Sequence, residues 1–191
     1  MSKHRRRLFV GLALDERTRK TMLHAIRQLE SQGVCGPFEP AEKQHVTLAF
    51  LGTVDALKVV PLIDALRCAL QRGRRFRLRF DLVSAFPNER RARVIWAGAR
   101  KAQPAFVDLA ENVRAASRPF AKLDEKQAVL HVTLARLNDP VQLVRIDLEP
   151  REMSVDEVVL FESLPNGKTT RYEVVERFPL TLQASSPERS R

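Results

Sequence analysis

At 191 residues, 44% hydrophobic and 29% charged, the chain has the composition of a soluble globular protein, enough for one domain or two tightly associated lobes. No apolar run approaches the roughly 20 residues that cross a bilayer, and the two cysteines, Cys35 and Cys68, have no metal-ligand spacing and suit a reducing compartment. Lys and Arg (33) outnumber Asp and Glu (23) for a formal charge of +10 and a pI near 10.4, an excess that draws polyanions.

The basic start, Met1 to Arg7, is followed by an apolar run that Asp15 and Glu16 interrupt, so it lacks a signal-peptide pattern and a cytoplasmic location is expected. Leu8–Leu14 reads as a buried strand, and Asp15 as the N-cap of a helix carrying Met22, Ile26 and Leu29 and stopped by Gly33. Gly36, Pro37 and Pro40 mark a loop before a strand at His45–Leu51. A second helix is predicted from near Asp55, with Val59, Ile63, Leu66 and Leu70 on one face and Gly73 at its end. Phe76, Leu78, Phe80 and Leu82 alternate with charged residues as in a half-buried strand, and its expected partner is Arg93–Ala97, reached through Pro87-Asn88. A third helix from Pro104 carries Phe106, Leu109, Val113 and Ala116. Strands follow at His131–Ala135, Val155–Ser163 and Arg171–Arg177, the last two joined by a turn at Pro165-Asn-Gly167. Residues 1–182 are expected to form one domain and 183–191 a disordered tail. The mixture is α+β, with helices covering largely antiparallel sheet.

One pattern stands out. The pentapeptide His-Val-Thr-Leu-Ala occurs at 45–49 and again at 131–135, and two of the chain's four histidines head it. The copies lie nearly half a chain apart, which points to two related lobes rather than a short-period repeat. On a strand, His45 and Thr47 share one face while Val46 and Leu48 point to the other, and His131 and Thr133 repeat the arrangement. If the lobes pack about an approximate two-fold axis, two imidazoles and two hydroxyls converge. That set suits phosphodiester chemistry: one imidazole takes a proton from the nucleophile, the other donates one to the departing oxygen, and hydroxyls hold the non-bridging oxygens. The competing reading is a metal site, but neither motif contains Asp, Glu or Cys, and no metal or cofactor is expected. His4 and His24 lie outside the repeat and are read as bystanders.

With these residues the chain resembles the 2H phosphoesterase superfamily, whose hallmark is a pair of His-x-Thr/Ser-hydrophobic motifs. More narrowly it is similar to the RNA 2′,3′-cyclic phosphodiesterases, also called 2′-5′ RNA ligases, in Arg7–Leu14, His45–Gly52, Arg93–Gly98, His131–Arg136 and Val159–Tyr172. The resemblance implies a bilobal fold with pseudo-two-fold symmetry and a V-shaped cleft. It implies metal-free hydrolysis of 2′,3′-cyclic phosphate ends to 2′-phosphates, with reverse 2′-5′ ligation as a second direction. His45 would be the proton donor and His131 the proton acceptor, Thr47 and Thr133 would hold the phosphate, and Phe50 and Arg136 would bracket the nucleobase. Strict alternation turns Phe50 and Arg136 away from the histidine face, so a bulge or strand end is required near each. The family's Arg-Pro-Phe-x-Pro before the second histidine is replaced here by Lys126-Gln-Ala-Val-Leu130, which alters the loop leading to His131. Expected partners are RNA ends bearing a cyclic phosphate, tRNA fragments or cyclic nucleotides, for a monomer with no membrane association. The alternatives are a non-catalytic RNA-end binder and a phosphodiesterase of small cyclic nucleotides.

Overall fold

The structure is a computed structural model that describes residues 5–181, Lys168 aside; the tail expected at 183–191 and His4 lie outside the described residues. The elements in chain order are β1 (Arg5–Ala13), α1 (Glu16–Ser31), β2 (His45–Asp55), α2 (Val59–Leu70), β3 (Phe76–Phe80), β4 (Leu82–Phe86), β5 (Ala92–Gly98), α3 (Pro104–Ser117), β6 (His131–Val141), β7 (Arg151–Val155), β8 (Glu157–Asn166) and β9 (Thr169–Pro179). No helix among the described residues is long and apolar enough to cross a membrane.

The helices start where the chemistry of their first residues places them. Asp15 accepts the backbone N–H of Thr18 at 2.6 Å, satisfying a donor that the first turn of α1 leaves free. Asp55 does the same for Leu57 N–H at 3.0 Å. That cap opens a short 3-10 turn at Ala56–Lys58, so α2 proper begins at Val59, later than the sequence suggests. Pro104 stands in the first turn of α3, where its missing N–H costs nothing.

Seven strands form one antiparallel sheet in the order β4-β5-β6-β2-β1-β8-β9. The two histidine strands, β2 and β6, are its centre, and each is flanked outward by its own antiparallel neighbours, β1 for β2 and β5 for β6. Between them runs a single register pair, Val46↔Val132. The two halves therefore part on either side of this seam, and space opens above it on the histidine face.

All three helices share one core with the opposite face of the sheet. Val46, Leu48, Val132 and Leu134 are buried there with Met22 and Leu29 of α1, Leu62 and Leu66 of α2, and Phe106 and Val113 of α3. Burying each such side chain is worth about 2 kcal/mol, so the apolar positions of the repeat anchor its polar ones.

The pairing of the Phe76 segment differs from expectation. The alternating run breaks at Asp81, whose N–H donates to Gly98 O at 2.8 Å and whose carboxylate accepts Arg100 N–H at 2.9 Å. Before the break, β3 pairs with β7 in a separate two-stranded sheet, Leu78 opposite Met153. After it, β4 pairs with β5, Ser84 opposite Trp96. The partner of Arg93–Ala97 is therefore Leu82–Phe86, and β7 is a strand the sequence did not announce.

Candidate active site

Each histidine strand carries a β-bulge at the same place in its motif. Along β2, Thr47 faces Gly11 of β1 while Ala49 faces Val10, leaving Leu48 as the extra residue. Along β6, Thr133 faces Trp96 of β5 while Ala135 faces Ile95, leaving Leu134 extra. One extra residue reverses the alternation beyond it. Burial records the reversal identically in both strands: the histidine and threonine are half-buried, the next Leu-Ala pair is wholly buried, and the sixth residue is exposed. Phe50 and Arg136 thus return to the face that carries His45 and His131. The bulges required by the sequence argument are present in both strands.

His45, Thr47, His131, Thr133 and Arg136 line one small cavity of about 40 Å³ above the seam. The structure brings these five together. It does not bring Phe50 into the lining: that ring lies further along β2, 49% exposed, with the Arg7 guanidinium 5.2 Å from its centroid.

Both imidazoles are oriented by the same device. His45 Nδ1 lies 2.7 Å from Lys43 O, and His131 Nδ1 lies 2.9 Å from Val129 O. A carbonyl oxygen only accepts, so each Nδ1 carries the proton and each neutral ring keeps its basic lone pair on Nε2. The altered segment before His131 therefore still delivers the carbonyl two residues upstream that Lys43 supplies to His45. Just ahead of that segment, Arg114 donates from Nη2 to Asp124 Oδ1 at 2.9 Å and to the Asp124 carbonyl. A glycine stands beside each histidine: a Cβ on Gly11 would lie 2.6 Å from Val46 O, and one on Gly98 would lie 2.4 Å from Leu130 O.

Aromatic rings wall off both imidazoles. His45 lies 4.7 Å from the Phe9 ring and 5.2 Å edge-on from Tyr172, with Phe161 behind at 6.2 Å. His131 lies 5.7 Å from Phe86 and 6.4 Å from Trp96. Burial among them pushes the His45 pKa down to about 4; the Lys43 carbonyl opposes the fall, and the positive charges of His131, Arg136 and Lys43 add to it. The His131 pKa is also lowered, chiefly by burial and further by Arg136, against the hydrogen bond to Val129. Both rings are neutral at pH 7 in the free protein.

Four further residues share the cavity: Glu39, Lys43, Gln44 and Tyr172. Glu39 arrives because the chain before β2 pairs with β6 beside its bulge, Glu39 N–H donating to Leu134 O at 2.8 Å and Arg136 N–H to Pro37 O at 3.1 Å. Its carboxylate then stands between two cations, 3.4 Å from Lys43 Nζ and 4.0 Å from Arg136 Nε. Arg136 Nη2 also reaches Thr133 Oγ1 at 3.5 Å. No motif flags these residues. The signal open to sequence reading is the position of Lys43 and Gln44 directly before the first motif. Among the described residues, no group of three His, Cys, Asp or Glu side chains is placed to hold a metal ion.

The fold, with two histidine strands at the centre of a pseudo-symmetric sheet, has known counterparts. The family described as LigT like Phosphoesterase matches residues 12–96. Escherichia coli LigT complexed with 3′-AMP superposes with a TM-score of 0.76 at 28% identity, covering 93% of this chain and 99% of that one. In sequence and fold the chain is similar to the 2H phosphoesterases. Similar solved structures include TT0787 of Thermus thermophilus, at a TM-score of 0.73 and 27% identity over 91% of this chain and 97% of that one. Several curated relatives carry the name RNA 2′,3′-cyclic phosphodiesterase. That of Aquifex aeolicus is 25% identical over 91% of this chain and 97% of its own length. That of Geobacillus stearothermophilus is 30% identical over 73% of this chain, and the match spans only 46% of the relative's length.

Proposed function

We propose that this protein hydrolyses 2′,3′-cyclic phosphate ends of RNA to 2′-phosphate ends, with His45 as proton donor and His131 as proton acceptor. The observation that carries the reading is the matched pair of imidazoles on one cavity, each held by a backbone carbonyl at Nδ1 so that Nε2 is the working atom. The names of the curated relatives support the substrate class.

The chemistry follows from the two rings. A cyclic phosphodiester is cleaved by displacement at phosphorus, with the nucleophile entering opposite the leaving oxygen. His131 Nε2 takes a proton from water as the new O–P bond forms. His45 Nε2 gives its proton to the 3′ oxygen as the P–O3′ bond breaks, leaving a 2′-phosphate and a 3′-hydroxyl. Thr47 and Thr133 donate to the non-bridging oxygens, where charge accumulates. Arg136 and Lys43 add positive charge beside them. The productive state holds one proton on the pair. The negative charge of the bound phosphodiester favours uptake of that proton, and in this mechanism His45 is the ring that must hold it as the P–O3′ bond breaks. A 5′-hydroxyl in the place of water would give a 2′-5′ linkage through the same transfers, and the high concentration of water favours hydrolysis. The positive surface suits RNA ends, tRNA fragments among them, and the protein acts as a monomer in this reading.

The test is direct. A short RNA ending in a 2′,3′-cyclic phosphate is incubated with the protein in EDTA, beside His45→Ala and His131→Ala. Conversion to a 2′-phosphate by the wild type alone is the expected result. Equal turnover by either variant, or none by the wild type, refutes the reading.

A further inference from the structure

The cavity above the seam is one end of a larger space. A cleft of about 690 Å³ shares Glu39, Lys43, Arg136 and Tyr172 with it and extends to the hairpin between β8 and β9. That volume is in the range of small-molecule sites. A nucleotide whose phosphate occupies the cavity can place its base in this cleft, over the exposed Arg136 guanidinium, whose flat face suits a heterocycle. Phe50, outside the lining, is not the wall of this space.

Two carboxylates face the cleft, and they are not equivalent. Glu39 is largely buried and lies between Lys43 and Arg136. Glu42, on the 3-10 turn Ala41–Lys43, is exposed and enters no ion pair among the described residues. A carboxylate only accepts hydrogen bonds, so it favours a base edge that offers donors and disfavours one that offers carbonyl oxygens. Guanine presents two adjacent donors, N1–H and the N2 amino group, which match the two oxygens of one carboxylate. Cytosine and adenine each present one amino group beside an acceptor nitrogen. Uracil presents a lone N–H between two carbonyls. The same logic underlies acidic side chains accepting from cytosine N4 in groove recognition.

Resting on the proposed phosphodiesterase reading, we infer that Glu42 selects the base of the terminal nucleotide, favouring a 2′,3′-cyclic guanosine end and discriminating most strongly against uridine. A charge-assisted pair of hydrogen bonds sets the expected preference at about tenfold or more in kcat/KM.

The experiment compares the four nucleoside 2′,3′-cyclic monophosphates with wild type and Glu42→Gln, an exposed change that spares the core. The carboxamide both donates and accepts, so the guanosine-to-uridine ratio should fall to within about twofold. Losing one negative charge acts on all four substrates alike, so the ratio isolates the base edge. Equal rates on all four bases in the wild type overturn the inference and leave the phosphodiesterase reading standing, as does a preference that survives Glu42→Gln. Calorimetric titration with the four nucleoside 2′-monophosphates reads the same ratio without turnover. Guanosine-selective binding that depends on Glu42, in a protein that turns over none of the cyclic substrates, supports the base selection and refutes only the catalytic role.

Discussion

The neutral state of His45 has a thermodynamic consequence that can be measured without any substrate. In the unfolded chain the imidazole titrates near 6.5, and in the folded protein burial brings it to about 4. Between these values the unfolded chain binds a proton that the native state refuses, so the native state loses stability as pH falls. The contribution is complete above pH 6.5 and is lost as pH drops through 4. At 1.36 kcal/mol per pKa unit it amounts to about 3 kcal/mol, a large share of the 5–15 kcal/mol typical of a domain. The perturbation is His45→Gln, which keeps a polar side chain of similar reach and removes the titration. Urea unfolding at pH 7.5 and at 4.5, for wild type and variant, gives four stabilities. Any constant effect of the substitution, and the titration of every carboxylate, cancels in the difference of differences. Most of the 3 kcal/mol should remain as extra acid sensitivity of the wild type. Parallel losses in the two proteins would refute the reasoning, and so would an NMR titration placing His45 near 6.5 in the folded protein.

Catalysis should carry the same signature. With the singly protonated pair as the productive form and both histidines shifted below 6.5, kcat/KM should peak below pH 6.5 and fall about tenfold per pH unit above its optimum; a plateau extending to pH 8 contradicts this. Gly98→Ala places a methyl 2.4 Å from Leu130 O, so it should cost about 1–3 kcal/mol in denaturant unfolding and lower kcat by displacing His131. Arg136→Ala should raise KM for a cyclic mononucleotide about tenfold, while Phe50→Ala, outside the cavity, should change it less than about threefold. Steady-state kinetics on the two variants reverses that ranking if Phe50 is the principal base contact.

Much of the site is legible before any coordinates. The repeated pentapeptide names His45, Thr47, His131 and Thr133, and the cavity gathers all four. The bulges also leave a trace in the pattern of apolar residues. In the second motif the buried positions run 132, 134, 135, 137, a slip in the two-residue period at Leu134-Ala135 that brings Arg136 round. Other features leave no such mark. The run Phe76–Leu82 alternates in sequence straight across Asp81, yet the backbone changes sheets there and the buried positions shift from Leu78 and Phe80 to Val83 and Ala85. Glu39 reaches the site through backbone pairing with Leu134. Tyr172 reaches it from β9, three strands away from β2 in the sheet. Such long-range placements are decided by topology rather than by local pattern.

The seam at Val46↔Val132 parts two halves of the sheet, each carrying one copy of the repeated pentapeptide. Each half brings one imidazole, aligned by a carbonyl of its own chain segment, so neither half depends on the other to choose its tautomer. What the halves do not share is scenery: three aromatic rings around His45, two around His131, and Lys43 on one side only. Under the proposed mechanism, any division of labour between acid and base is therefore set outside the repeated motif, by these differing surroundings. Exchanging those surroundings while leaving both pentapeptides intact is the route by which such a protein could trade the two roles.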